Sequence, residues 1–156
     1  MIYMKLVKSI CIMLSFLLLS GCGMWQSSVK QVEKVGVAKS EEVNGSQIVV
    51  EATVMDDKLV KIRIDETGAK SFDGSMSGTK KELGDEYNMR SFSDIGKEWY
   101  EQINALELFI EEYGLEAVTV DSDGRPTNDD LKTSCTISVE EYLDVAEDAV
   151  YNAMNK

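Results

Sequence analysis

The sequence predicts an α+β fold: a small antiparallel sheet opened by a β-hairpin, packed against two amphipathic helices in a single domain. Three observations lead there. Apolar and polar residues alternate with a period of two on both sides of a turn at 55–58, and two later segments, 94–113 and 139–153, repeat their apolar residues at helical spacing. The stretch from Ser46 to Lys156, about 110 residues, is long enough for one core and too short for two.

The hairpin comes first. Ile48, Val50, Ala52 and Val54 share one face of its first arm; beyond Met55-Asp56-Asp57-Lys58, Val60, Ile62 and Ile64 oppose Lys61, Arg63 and Asp65 on the second. Residues 67–91 then run through Gly68, Gly74, Gly78 and Gly84 among many serines, a composition that predicts a long loop. In the next segment Ile95, Trp99, Ile103, Leu106, Phe109, Ile110 and Tyr113 form one helical stripe, with Gln102 as its polar exception. The cap is expected at Ser93 or Asp94 and the stop at Gly114. Such a Trp and Tyr stripe serves core packing before flavin stacking, and the glutamates opposite it read as a solvated face. Ala117–Val120 is a strand candidate closed by the turn Asp121-Ser122-Asp123-Gly124. The last helix carries Val139, Tyr142, Leu143, Ala146, Ala149, Val150 and Ala153 on one face, and Ser138 with Glu141 has the spacing of a capping box at its start.

The N-terminal region differs in kind. Lys5 and Lys8 precede an apolar run from Ile10 to Leu19, too short to span a bilayer with ease, and Leu19-Ser20-Gly21-Cys22 follows. This resembles a bacterial lipoprotein signal, which implies cleavage before Cys22 and a diacylglycerol on its sulfur. Residues 1–21 are then the signal peptide, 22–45 the lipidated N-terminus and a flexible tether, and 46–156 the folded domain. Two or more acyl chains anchor stably, so the expected location is the extracytoplasmic face of the cell membrane.

Composition narrows the chemistry. Loss of residues 1–21 leaves two fewer basic residues than the chain's 16, against 28 acidic ones, a net charge of −14. Nucleic acid is a poor partner for such a surface. Cys135 is the one cysteine outside the signal and Cys22, so no intrachain disulfide is expected. With no histidine in the chain, Ser-His-Asp and Cys-His nucleophile sites and histidine-held zinc or haem are excluded. Asp121-Ser122-Asp123-Gly124 opens like a calcium loop, but Arg125, Pro126 and Lys132 occupy positions where that loop needs a ligand, a glycine and a glutamate. The adjacent pair Asp129 and Asp130 suits a turn better than hydrolytic acid-base chemistry.

One stretch carries more hydroxyls than a helix cap needs: Asp130-Leu131-Lys132-Thr133-Ser134-Cys135-Thr136. It lies just before a helix N-terminus, where unpaired amides favour a phosphate or simply a cap. The stretch resembles the D-x-x-[ST]-G-A-[ST] motif of extracytoplasmic FMN-binding domains, with Asp130, Thr133 and Thr136 in register. The turn Asp56-Asp57-Lys58 is similar to the one in that family's opening hairpin, and the short membrane-anchored immunogen-type lipoproteins share the domain. Ser134 and Cys135 replace the motif's glycine and alanine.

The resemblance implies that a flavin transferase esterifies Thr136 with the phosphate of FMN. It further implies that Asp130 orients the loop, that Thr133 and Ser134 border the cofactor, and that Trp99 or Tyr100 stacks on the ring. The chain would then be an electron carrier exchanging with a membrane redox partner rather than a catalyst. The same resemblance also admits FMN held non-covalently, and the alternative is a cofactor-free surface lipoprotein serving as a binding or interaction module.

Overall fold

The computed structural model describes residues 32–156, so the signal and Cys22 lie outside the described residues. A three-stranded antiparallel sheet, β1 (Glu33–Lys39), β2 (Gln47–Met55) and β3 (Lys58–Thr67), stands in the order β1-β2-β3. A two-stranded ribbon follows, β4 (Ala69–Lys70) with β5 (Ser77–Gly78), then a helical turn α1 (Lys80–Leu83) and two single turns of 3₁₀ helix. The helices α2 (Trp99–Tyr113) and α4 (Glu140–Met154) flank a short α3 (Asp129–Lys132). This is the α+β domain expected, with the hairpin and both long helices in place.

The core lies on one sheet face. Val50, Ala52, Ile62 and Ile64 are fully buried against α4, which crosses β1 and β2, and against α2, which crosses β3. Trp99, Ile103, Leu106 and Ile110 from α2 meet Tyr142, Ala146 and Ala149 from α4 in the same cluster. Among the described residues no helix is long and apolar enough to cross a membrane.

Strand β1 corrects the expected tether at 22–45. Glu33–Lys39 pairs residue for residue with Met55–Val49, so chain assigned to the tether is sheet. Its pattern hides it: the face turned to α4 carries Lys34, Gly36 and Ala38, while Val37 on the other face is 44% exposed. A second departure concerns Val60. A bulge between Thr53 and Val54 pairs Val54 with Leu59 and Thr53 with Lys61, which turns Leu59 toward the core and leaves Val60 exposed.

Side chains from α2, α4 and Lys156 beyond it reach both sheet edges, the places where a strand would otherwise recruit another chain. On β3 the amides of Ile62 and Ile64 donate to Glu111 Oε1 and Glu107 Oε1. On β1 the carbonyl of Val37 accepts from Asn152 Nδ2, and that of Val35 from Lys156 Nζ. The glutamate stripe of α2 is therefore not merely a solvated face. Glu107 is buried, with Lys81 Nζ at 2.6 Å and Arg63 at 3.6 Å.

Four further expectations change. Residues 67–91 are not one loop, because Thr79 and Glu82 build a capping box that starts α1 and β4 pairs with β5. Helix α2 begins at Trp99 rather than near Asp94, with Glu98 and Glu101 forming its capping box. Ser138 and Glu141 form none: α4 starts at Glu140, one residue later than their spacing requires. Ala117–Val120 ends a 3₁₀ turn and contributes one bridge, Val120 to Pro126, rather than a strand.

A polar network ties these elements together at Glu66. Its Oε1 accepts from Ser46 at 2.6 Å, and its Oε2 from Lys80 at 2.6 Å and Tyr142 at 2.7 Å; Trp99 Nε1 donates to the same tyrosine oxygen. Burial pushes the Glu66 carboxyl up, but the donors from Lys80, Ser46 and Tyr142 outweigh it and hold the group below its ordinary value of 4.5. A carboxyl depressed on folding stabilises the fold above its unfolded pKa and loses that contribution as pH falls through the folded value. Glu66→Gln should cost about 1.5–3 kcal/mol at neutral pH. It should also flatten the acid limb of stability below about pH 5, measured by urea melts across pH.

Candidate functional site

The stretch Asp130–Val139 is pinned to the core at three points. Leu131, Cys135 and Val139 are buried, with the Ser134 and Cys135 amides bonded back to the Leu131 carbonyl and Val139 N to Gly124 O. The polar residues between them point in different directions as a result. Asp130 and Ser134 line a groove of about 280 Å³ with Leu108, Phe109 and Tyr113 of α2. Thr133 is exposed and lines neither this groove nor the cleft of Thr136.

Thr136 faces a separate cleft of about 330 Å³, bordered by Met89, Phe92, Asp94, Gln102, Asp123 and Arg125. Its amide donates to Gln102 Oε1 at 2.9 Å and its hydroxyl to the same oxygen at 3.3 Å. The hydroxyl proton is therefore directed into the protein, while the oxygen accepts no bond among the described residues. Gln102, the polar exception in the α2 stripe, is fully buried, and its Nε2 also reaches Ser93 Oγ and the Lys97 carbonyl at 3.3 Å. One amide thus fixes the Thr136 backbone to the loop that forms the opposite wall.

That wall supplies an aromatic surface. Phe92 is 73% exposed and packs against Phe72 with ring centroids 6.0 Å apart. The rings named from sequence are committed elsewhere. Trp99 is buried edge-on to Tyr142 with Lys80 over its face, and Tyr100 donates to Asp85. Charge at the cleft is mixed. Arg125 enters no ion pair among the described residues, and Asp94 and Asp123 bring two carboxylates beside it. Phe92 and Arg125 carry no periodic signal, so sequence reasoning passed over both. Gln102 offered one, as the polar residue in an apolar stripe.

Loop position is fixed by a residue the motif does not contain. Asn128 donates from Nδ2 to the Ala117 carbonyl, and its Oδ1 accepts from Thr119 N and Thr119 Oγ1. Asp130 is exposed and forms no side-chain hydrogen bond among the described residues.

Cys135 is inert where it sits. It is fully buried, and burial pushes its thiol up to about 12. Iodoacetamide at pH 8 should leave the Cys135 peptide unlabelled in the native chain and label it fully after guanidinium unfolding, as read by peptide mass spectrometry.

The chain is similar to a structural-genomics target from Clostridium thermocellum solved by solution NMR, with 21% identity, 80% of this chain and 92% of the other covered, and a TM-score of 0.46. No family model matches the chain, and no curated protein matches it.

Proposed function

We propose that the domain is a lipid-tethered, extracytoplasmic flavin carrier whose FMN phosphate is esterified to Thr136. The observation that carries this reading is the direction of the residues that depart from the flavin motif. Cys135 is buried in the core and Ser134 lines the neighbouring groove, so the added bulk of neither borders the cleft that Thr136 faces.

The residues present fit such a group on three counts. Thr136 offers an oxygen that accepts no hydrogen bond among the described residues, Arg125, which enters no ion pair among them though it lies in the field of Asp121, is a cation for a phosphate, and Phe92 with Met89 forms an apolar wall for a planar ring. Asp94 and Asp123 oppose the phosphate charge and offset part of the attraction to Arg125. When bound, the flavin supplies the redox chemistry, and the protein supplies its position. Gln102 holds the Thr136 backbone whether or not the hydroxyl is esterified, because the amide bond does not depend on the hydroxyl proton. Anchoring through Cys22 would keep the carrier beside a membrane donor.

Co-expression of the full chain with a flavin transferase tests this. Detergent-purified protein should absorb in the visible, Thr133→Ala should leave the absorbance unchanged, and Thr136→Ala should abolish it. A colourless wild-type chain that also fails to bind FMN in a titration would leave the cofactor-free interaction module.

A further inference from the structure

The β2–β3 turn, the C-terminal end of α2 and the last turns of α4 enclose a groove of about 580 Å³, roomier than the Thr136 cleft and remote from it in lining. Leu59, Leu115 and Val150 are partly buried where they line it, while Tyr151 and Met154 stand 67% and 40% exposed. Exposed carboxylates of Asp57, Glu112, Glu116 and Glu147 surround these apolar side chains, and Lys58 is the one cation among the lining residues. None of the four carboxylates enters an ion pair among the described residues. The acids that hold the sheet edge, Glu107 and Glu111, are spent on Ile64 and Ile62; of these four, Glu112 accepts from the neighbouring Tyr113 hydroxyl, and none is tied to the sheet edge.

We propose that this groove docks a basic amphipathic segment of another protein, with aliphatic side chains against Leu59, Leu115 and Val150 and Lys or Arg groups on the surrounding carboxylates. Charge selects this occupant. A second copy of the chain would bring its own net charge of −12 to a carboxylate-lined surface, and an anionic bilayer would be repelled in the same way. A cationic segment gains steering toward the groove from the carboxylates and residence time from the apolar contacts.

The test uses the full chain in nonionic detergent passed over immobilised Leu/Lys and Leu/Glu amphipathic peptides of about 14 residues. The Leu/Lys peptide should bind and the Leu/Glu peptide should not. Glu112→Gln with Glu116→Gln and Glu147→Gln should weaken binding about tenfold, and Tyr151→Ser with Met154→Ser should do likewise. Glu41→Gln with Glu42→Gln and Glu140→Gln, which removes equal charge outside the groove, should change it less than about twofold. Circular dichroism confirms that each variant, exposed at every substituted position, keeps its fold. Absence of binding, equal losses in the two charge variants, or an unaffected Tyr151/Met154 variant would each overturn the proposal.

Discussion

Gly36→Val should destabilise the domain by about 3 kcal/mol and lower Tm by roughly 10 °C, measured by thermal and urea unfolding. The cost comes from space rather than from backbone conformation. A Cβ on Gly36 would stand 2.1 Å from the Ala149 carbonyl oxygen and 2.3 Å from the Ala153 amide nitrogen, and both neighbours are helix backbone that cannot rotate away. The strand and α4 touch through a glycine and two alanines, so any side chain there must push the helix off the sheet. Core alignment at Ala52, opposite Gly36 in the register, would shift with it. Val37→Ala, one residue along on the open face and 44% exposed, should change stability by less than about 0.5 kcal/mol. Equal stability of Gly36→Val and the wild type would mean that α4 does not pack on β1 at this point.

Glu107→Ala should cost about 3 kcal/mol, because it strands two partners at once. The buried carboxylate accepts the Ile64 amide, pairs with Lys81 at 2.6 Å and lies 3.6 Å from Arg63. Its removal leaves an edge amide and a half-buried ammonium without a partner. Glu107→Gln keeps an acceptor for Ile64 and gives up only the charge, so a loss of about 1–2 kcal/mol is expected. Glu112→Ala, exposed on the same helix, serves as the control and should fall within about 0.5 kcal/mol of wild type. Urea melts of the three variants at one ionic strength give the ranking; a Glu107→Ala cost no larger than that of Glu112→Ala would show that the edge contact is not structural.

Periodicity made the hairpin and both long helices legible because burial there follows residue type. Val50, Ile62 and Ile64 face in, and so do Ile103, Leu106, Ala146 and Ala149. Strand β1 escaped the same test because its inward positions are chosen for closeness rather than hydrophobicity, which leaves Gly36 buried and Val37 exposed. Val60 leaves the alternation because of a bulge, which breaks the pattern without marking the residues that flank it. Residues 67–91 looked like loop because α1 and β4–β5 are held by capping and turn bonds over two to four residues, too short for any period.

At the site, the motif singled out Thr136, and a cleft does open beside it. What the motif could not convey is how its residues divide between two grooves. That division follows from Leu131, Cys135 and Val139 being anchored in the core, a tertiary fact. Gln102, Phe92 and Arg125 come to the cleft from three separate segments, and no local pattern links them.

Tandem mass spectrometry of the full chain, co-expressed with a flavin transferase and digested, locates the modification directly. The peptide spanning Asp130–Ser138 holds four hydroxyl residues, Thr133, Ser134, Thr136 and Ser138; Thr136 and Ser138 both line the Arg125 cleft, and of the two Thr136 has its backbone held by Gln102. An FMN phosphoester on Thr136 is the expected result. An unmodified peptide, or an adduct on Thr133, Ser134 or Ser138, would contradict it.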